Sequence, residues 1–571
     1  MKLIKTLKHN NSIFVLLLSS ILLVSCNDYL DVDTDTDNPT IAPLNYLLTS
    51  TQVAIGKTTN FQDYSGDVLQ VYTHQMTVRE EQDQYGTKVN NITVQNDWDN
   101  LYITLTDIES LIKQSTESGD LIYLGIAQLE KAYLMSVAVD LWGDVPYTDA
   151  TKLKEGIIGP KFDNQIEIYK SVLTLIETAK TNLNTNKGLK PSADDLFYGG
   201  KTDKWIRFAN TFKLKLYNQM RLSPEFDKVE SGFNALIAEN NFFTSIDDDF
   251  QFLHTLNSSP SDERNRLFLE SYNSSQFTTY MSPWFYEIMM GMNPNIHSGN
   301  KDPRLNYYFY NQLKAGQFPP DLGDTATGNP KADYWDAKTG FFSIRFGSQG
   351  PWSSFSTENS NTYPGIFPCG GRYDDGNGGS VEKLTEFSGT GIAPHRILTY
   401  DEFLYIQAEL IHAEKLTGNE ATKLQEAITA SFAKVDKVVA DNKSKQTGIP
   451  KLIGSANVTT FINKIMTEFT NGDSTKKLEI IMTQKWVATF GDPADQYNDY
   501  RRTGYPILAN PNSTAKEYRL DNGDAFPIND SETVLKNPYQ LSLYWPLTEL
   551  NLNKNAPDQK NPATYKIFWD N

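Results

Sequence analysis

The stretch IEIYKSVLTLIETAKTNL constrains this chain most. Ile166, Tyr169, Val172, Leu173, Ile176, Ala179 and Leu183 recur at three- and four-residue spacing, which places them on one stripe of a helix. Such a stripe is buried only against another element, so the segment demands a partner. TDKWIRFANTFKLKLYNQMRL supplies a second stripe through Trp205, Phe208, Ala209, Phe212 and Leu216, behind a Thr202 or Asp203 cap. Between Leu121 and Trp142 the residues are apolar nearly all round, which predicts a helix in the middle of the packing. Gly143 and Pro146 are its stop signal.

The helical rhythm resumes at 399. Thr399 and Glu402 have capping-box spacing ahead of FLYIQAELIHAEKL, and Gly418 is expected to close that helix. Further helices are predicted over about 420–440, 457–470 and 476–490. The fold class is therefore mainly α, a scaffold of helical pairs of the tetratricopeptide kind, although no strict repeat of roughly 34 residues is present.

Residues 240–398 differ from both flanks. They are rich in Asn, Ser, Gly, Pro and aromatics, and nine glycines fall between 340 and 379 where average usage gives about three. This is a large irregular, loop-rich insertion. Irregular segments on a rigid scaffold are where binding groups are usually placed, so we read it as ligand-facing; the other reading is a lid over the helices.

The N-terminus has a different task. Lys2, Lys5 and Lys8 precede an apolar run, Ile13 to Val24, broken only by Ser19 and Ser20. That run is too short to cross a bilayer, which takes about 20 residues, and residues 1–25 read as a secretory signal. Its end, Leu23-Val24-Ser25-Cys26, has the form of a bacterial lipobox, in which the cysteine is acylated and becomes the new N-terminus. Residues 26–40 then form a flexible acidic tether, and 41–571 a single body. Asp31, Asp33 and Asp35 copy the first ligand positions of an EF-hand loop. Thr36 stands where a glycine is needed and Ala42 where a glutamate is needed, so no metal site is assigned, and whether calcium is bound stays open.

Removing residues 1–25 from 571 leaves 546 and takes away three lysines, moving the formal charge from -18 to about -21. Such a chain repels phosphate backbones, so nucleic acid is excluded as a partner. Anionic polysaccharides are disfavoured on the same ground unless a local basic patch overrides the sum. With Cys26 acylated, Cys369 is the remaining thiol. No disulfide within the body is expected, and the glycine-rich stretch 361–380 around Cys369 reads as a surface loop.

No HExxH, CxxC, GxxxxGK[ST] or GxSxG is present. Glu80-Glu81 and Asp374-Asp375 are adjacent carboxylates, but neighbours in sequence point apart and nothing marks one as desolvated. His395 and His412 flank the expected capping box, and His412 reads as a satisfied core group. The chain is therefore not read as an enzyme, and no cofactor is assigned. Trp98, Trp142, Trp205 and Trp486 sit in helical segments and are core by default. Trp284, Trp335 and Trp352 fall in the irregular region with Tyr280, Tyr286, Tyr334, Tyr363 and Tyr373. Such rings suit the apolar face of a sugar, and they suit the core of a small subdomain equally well.

Five stretches carry a resemblance. CNDYLDVDTDTDNPT after the lipobox, AVDLWGDVPYTDA at 138–150, WIRFANTFKLKLYNQMR at 205–221, TYDEFLYIQAELIHAE at 399–414 and QKWVATFGDPADQYNDYRRTGYP at 484–506, in this order, resemble the SusD/RagB family of outer-membrane nutrient-binding lipoproteins of Bacteroidetes. The resemblance implies a helical body held by Cys26 on the outside of the outer membrane. It implies a lid over a TonB-dependent barrel of the SusC kind, capturing oligosaccharide or peptide for import. It implies no catalytic residue. Gly143 carries over as a helix stop, and Arg501 and Arg502 as partners of acids. Ligand contacts of the family follow no common pattern, so only Cys26 transfers as a functional residue. Trp98, with Arg79, Asp83 and Tyr85 upstream, is a candidate because members place contacts in this stretch. Trp284, Tyr286, Trp352 and Tyr373 are candidates from the aromatic set. The competing class is a surface-anchored helical scaffold that binds a protein partner rather than a nutrient.

Overall fold

The computed structural model describes residues 42–58, 60, 65–78, 85–273, 279–322, 334–348, 358–378, 387–442, 446–510 and 535–570. Cys26, the tether, Arg79, Glu80, Glu81, Asp83 and Trp352 lie outside them.

The longer helices run as α1 (Leu44–Ile55), α2 (Ser65–Tyr72), α3 (Ile92–Ser118), α4 (Leu121–Trp142), α5 (Gln165–Thr185), α6 (Thr202–Met220), α7 (Glu230–Glu239), α8 (Pro283–Met290), α9 (Tyr400–His412), α10 (Glu420–Asp441), α11 (Ala456–Asn471), α12 (Ser474–Ala488) and α13 (Pro493–Thr503). Sequential neighbours pack on one another from α3 to α7 and again from α9 to α12. The two stacks meet where α9 packs on α6 and where α13 packs on α2, α4 and α6. The chain is thus mainly helical, built of helical pairs as its periodicity requires.

Helix α4 shows why composition fixes position. Leu121 and Lys131 apart, every residue in it is buried, so α3 and α5 must flank it. Trp142 ends it at the centre, and its indole donates to the Tyr544 carbonyl at 3.1 Å. Gly143 stops the helix as expected. It sits at φ 76, and a Cβ there would lie 2.5 Å from the Tyr565 ring.

Several local expectations are corrected. Thr202 and Asp203 lie in the first turn of α6, not at its cap. Lys201 occupies that position without a side-chain bond, and Asp203 pairs with Arg207 one turn on at 3.0 Å. The capping box at 399 does not form: Thr399 is the N-cap, but its hydroxyl donates to Asp401 Oδ1 at 2.8 Å, while Glu402 turns into a buried charge network. Helix α9 ends at His412, ahead of Gly418, because Glu414 takes a left-handed turn at φ 57. His412 is satisfied as read, by Glu420 at 2.7 Å and Ser474 at 3.1 Å, though it sits at the helix end and is only partly buried. Arg502 pairs with Glu409 and Asp499. Arg501 does not follow it: its guanidinium donates to the carbonyls of Leu541 and Asp140, each at 2.7 Å, and lies 3.9 Å over the Tyr497 ring.

The described residues of 240–398 are irregular but densely packed. Among the described residues the strands are short antiparallel ribbons: Met76–Val78 with Thr279–Met281, Phe250–Phe252 with His395–Leu398, Phe309–Tyr310 with Tyr363–Pro364, Tyr334–Asp336 with Phe341–Ser343, and, outside the region, Val145–Pro146 with Phe162–Asp163.

The aromatic set resolves largely as core. Trp284 is 1% exposed, and its indole donates to the Ile507 carbonyl at 3.0 Å. Tyr286 is fully buried, stacks on Phe341 at 3.9 Å and donates its hydroxyl to Asp336 at 2.6 Å. Tyr280, Tyr334, Trp335 and Tyr363 are buried as well. The Trp284 and Tyr286 rings are thus both covered by protein in this structure, Trp284 at the wall of a cavity it shares with Ile288, Tyr505 and Ile507. The physical reason is that ribbons of two to four residues cover rings that a propensity reading leaves on loops. Trp98 is also core, 3% exposed and edge-on to Trp142 at 5.4 Å. Tyr85 is buried against Tyr72, Phe346 and Tyr539, with its hydroxyl 2.8 Å from His74 Nε2. Burial lowers that histidine to about 3, so the imidazole is neutral.

Cys369 corrects the loop reading of 361–380. It lies in a one-turn helix, Ile366–Cys369, is fully buried, and its thiol faces the Gly365 carbonyl at 3.4 Å. Gly365, Gly370 and Gly371 allow close backbone approach here, and exposure begins at residues 375–377.

Candidate ligand-binding groove

Among the described residues, one aromatic from the candidate set stays accessible. Tyr373 is partly exposed, and both of its backbone groups are held by one side chain: its N–H donates to Gln446 Oε1 at 2.8 Å, and Gln446 Nε2 donates to its carbonyl at 2.9 Å. This clamp fixes where the ring points. It packs edge-on to Tyr307, with centroids 4.8 Å apart at 61°, and Tyr307 is itself tied by its hydroxyl to the Pro450 carbonyl. Asn306 adds a second tie, donating from Nδ2 to the Asp374 carbonyl at 2.9 Å.

The facing wall comes from a turn-rich loop after α8. Asn, Gly and Pro in GMNPNIHSGNKDPR favour tight turns, and here they are pinned to α11. His297 is set between Glu468, at 2.8 Å from Nδ1, and Gln484, at 2.9 Å from Nε2. Asn300 donates to the Phe461 carbonyl at 3.2 Å, and Lys464 to the Gly299 carbonyl at 3.0 Å. Asp302 is occupied by the buried Arg304, which grips both of its oxygens, at 3.0 Å from Nε and 2.6 Å from Nη2.

Between these walls lies a cavity of about 520 Å³, within the range of small-ligand sites. Tyr373, Asn300, Asn306, Ser455, Asn457 and Thr460 line it, together with Lys301, Lys451 and Lys464. A second hollow of about 620 Å³ adjoins it, sharing Asn300, Thr460 and Lys464. The two form one trough along α11. Its chemistry is a tyrosine face with a rim of amides, hydroxyls and ammoniums. Burial raises the hydroxyls of Tyr307 and Tyr373, so both are neutral at physiological pH. The arrangement can hold a polar ring on the Tyr373 face; it offers no paired acid and base to transform one.

Asp374 borders this site, and here the sequence reading needs correction: it is buried, and desolvation lifts its carboxyl above the usual range despite bonds from Gly376 and Asn311. Asp375 is exposed and held low by the Asn377 N–H. They point apart as expected and share no substrate-sized space.

The one group of carboxylates close enough to hold an ion, among the described residues, is Glu402, Asp492 and Asp495. Lys215 and Lys485 already stand in it, the former bonded to Asp495 and the latter 3.5 Å from Glu402. Burial, with Asp495 beside it, lifts Glu402 to about 8, and Asp492 is raised as well. Asp495 feels the same desolvation, but the two lysines outweigh it and keep it low. The donors do not fit a cation, because lysines and protons already balance the charge.

Tyr307, Asn300, Asn306, Lys301, Lys451 and Lys464 were not singled out by the sequence. They come from segments about 150 residues apart; the Asn-Gly-Pro density of 291–304 was the available signal.

Comparison with known proteins identifies the fold. The profile of the SusD-like family, described as starch-binding associating with outer membrane, matches residues 35–527. Solved structures agree in fold. A SusD homolog from Bacteroides fragilis superposes with a TM-score of 0.65 at 16% identity, covering 93% of this chain and 99% of its own. A SusD/RagB family protein from Bacteroides thetaiotaomicron gives 0.62 at 17% identity, with 90% and 95% covered. A chitin-binding SusD homolog from Flavobacterium johnsoniae gives 0.60 at 18%, with 92% and 99% covered. No curated protein matches the chain. The profile spans well over half the sequence and the fold extends across it, so this chain belongs to the SusD-like family and is a non-catalytic, nutrient-binding protein of the outer membrane.

Proposed function

We propose that this protein captures oligosaccharide in the trough beside α11 and passes it to a TonB-dependent barrel of the SusC kind, while an acylated Cys26 holds it on the outer face of the outer membrane. The observation that carries the reading is the clamped Tyr373 ring over a cavity rimmed with Asn300, Asn306, Asn457 and Thr460. A sugar offers an apolar C–H face to such a ring and hydroxyls to such a rim. A relative of the same fold is named for chitin binding, which supports a glycan over a peptide. A binding protein without a membrane span can concentrate a ligand but cannot move it inward; no described helix is long and apolar enough to cross a membrane. A pore must therefore receive the ligand.

The test is a glycan and peptide array on the lipid-free body, run in parallel with Tyr373→Ala. Glycan binding that the substitution weakens supports the reading. Peptide binding alone, or glycan binding untouched by the substitution, contradicts it.

A further inference from the structure

The trough departs in charge from the rest of the molecule. The chain carries a formal charge of -18, and many of its lysines are paired with carboxylates, as Lys131 is with Glu109, Lys180 with Glu239, Lys213 with Glu177, Lys434 with Asp401 and Lys477 with Glu420. Lys301, Lys451 and Lys464 are exposed in one cavity, and among the described residues none of them forms an ion pair with a carboxylate. The acid lining the first hollow is Asp302, already neutralised by Arg304 at 2.6 Å, and the acid lining the second is Glu468, engaged by His297 at 2.8 Å and Lys476 at 4.0 Å. Asp374, at the border of the site, accepts from the Asn311 and Gly376 amides and feels the charge of Lys301 without forming an ion pair with it.

The backbone adds to this bias. Helix α11 begins at Ala456, Ser455 caps it by accepting from the Val458 N–H at 3.3 Å, and Ser455 and Asn457 both line the cavity. The positive end of a 16-residue helix thus opens where the lysines gather. In a protein whose net field repels anions, three ammoniums without a carboxylate partner in a concave site override the sum locally and select for negative charge.

We infer that the trough takes an acidic oligosaccharide, one whose sugars carry carboxylate or sulfate. This rests on the reading of the trough as the glycan site and goes beyond it by naming the ligand class. Tyr373 holds a sugar face while Lys301, Lys451 and Lys464 meet the anionic substituents. The whole-chain charge points the other way, and the local patch decides because screening in salt confines charge effects to about 8 Å.

The experiment is calorimetric titration of the lipid-free body with two matched pairs: a galacturonate oligomer against its methyl ester, and a carrageenan oligosaccharide against its desulfated form. The pairs separate carboxylate from sulfate as the source of charge. At least one acidic member should bind about tenfold or more tightly than its neutral counterpart, and weaken as salt rises. The triple variant Lys301→Gln, Lys451→Gln, Lys464→Gln should lose that preference with an unchanged melting temperature, since all three side chains are exposed. Equal or tighter binding of the neutral members, or no binding of either acidic one, overturns the inference. If Tyr373→Ala still weakens neutral binding in that case, the trough stands as a glycan site and only its charge selectivity fails. If Tyr373→Ala leaves all binding intact, the site itself is elsewhere.

Discussion

Arg502 donates through Nη2 to Glu409 Oε2 at 3.0 Å, and neither side chain reaches solvent. Arg221 reaches the same carboxylate at 2.6 Å and Asn218 at 2.9 Å, so one buried glutamate on α9 ties down α6 and α13. The junction of the two helical stacks therefore depends on charge as well as on apolar area. Desolvation pushes the Glu409 carboxyl up, but the two guanidiniums outweigh it and hold it below the ordinary range. A depressed folded value contributes stability that is present above the unfolded pKa near 4.5 and is lost as pH falls toward the folded value. Glu409→Gln should cost about 3–5 kcal/mol near neutrality, because two buried arginines lose their counter-charge. Thermal melts across pH check this: the gap between variant and wild type should narrow only in strong acid.

Glu130 has the opposite sign. It is buried in α4, and desolvation, with Asp195 nearby, lifts it to about 8. A raised folded value means its contribution is full below the unfolded pKa near 4.5 and is lost as pH rises toward 8. Glu130→Gln should remove that slope. Denaturant titrations at pH 5 and pH 8 should show a smaller fall in stability for the variant than for wild type.

Two aromatics of the irregular region should separate cleanly. Trp284→Ala should destabilise by about 3–5 kcal/mol, as expected when a buried indole leaves a cavity. Tyr373→Ala should barely move the melting temperature and should weaken glycan binding by about 1–3 kcal/mol, the scale of a well-placed aromatic contact. A calorimeter reads both quantities.

What the sequence disclosed follows from periodicity. Ile166 to Leu183 and Leu121 to Trp142 were legible because burial repeats along one element. Trp284 and Tyr286 were not, because their cover comes from Ile507, Asp336 and Phe341, far along the chain and without a period. The same holds for the trough. Tyr373 was a candidate for being an aromatic in an irregular stretch, but nothing local announced that Gln446 would clamp it or that Lys301, Lys451 and Lys464 would converge on it. Thr399 and Glu402 show the reverse error, a valid local motif overridden because burial of Glu402 with Lys485 serves the tertiary contact.

Cys369 gives a chemical check on the packing of the glycine-rich segment. It is fully buried, and desolvation pushes its thiol well above the ordinary value. Iodoacetamide should leave Cys369 unmodified in the native protein and label it on unfolding in denaturant. Cys369→Ser should cost about 1–3 kcal/mol, because burying a hydroxyl costs more desolvation than burying a thiol, and the Gly365 carbonyl at 3.4 Å returns only part of it.

The central claim is that ligand is held in the trough beside α11. Amide hydrogen exchange on the lipid-free body, with and without a glycan shown to bind, tests it most directly. New protection is expected at 299–307, 373–374 and 446–464, the segments that build the two walls. Protection confined to other parts of the molecule, with these segments unchanged at saturating ligand, would contradict it.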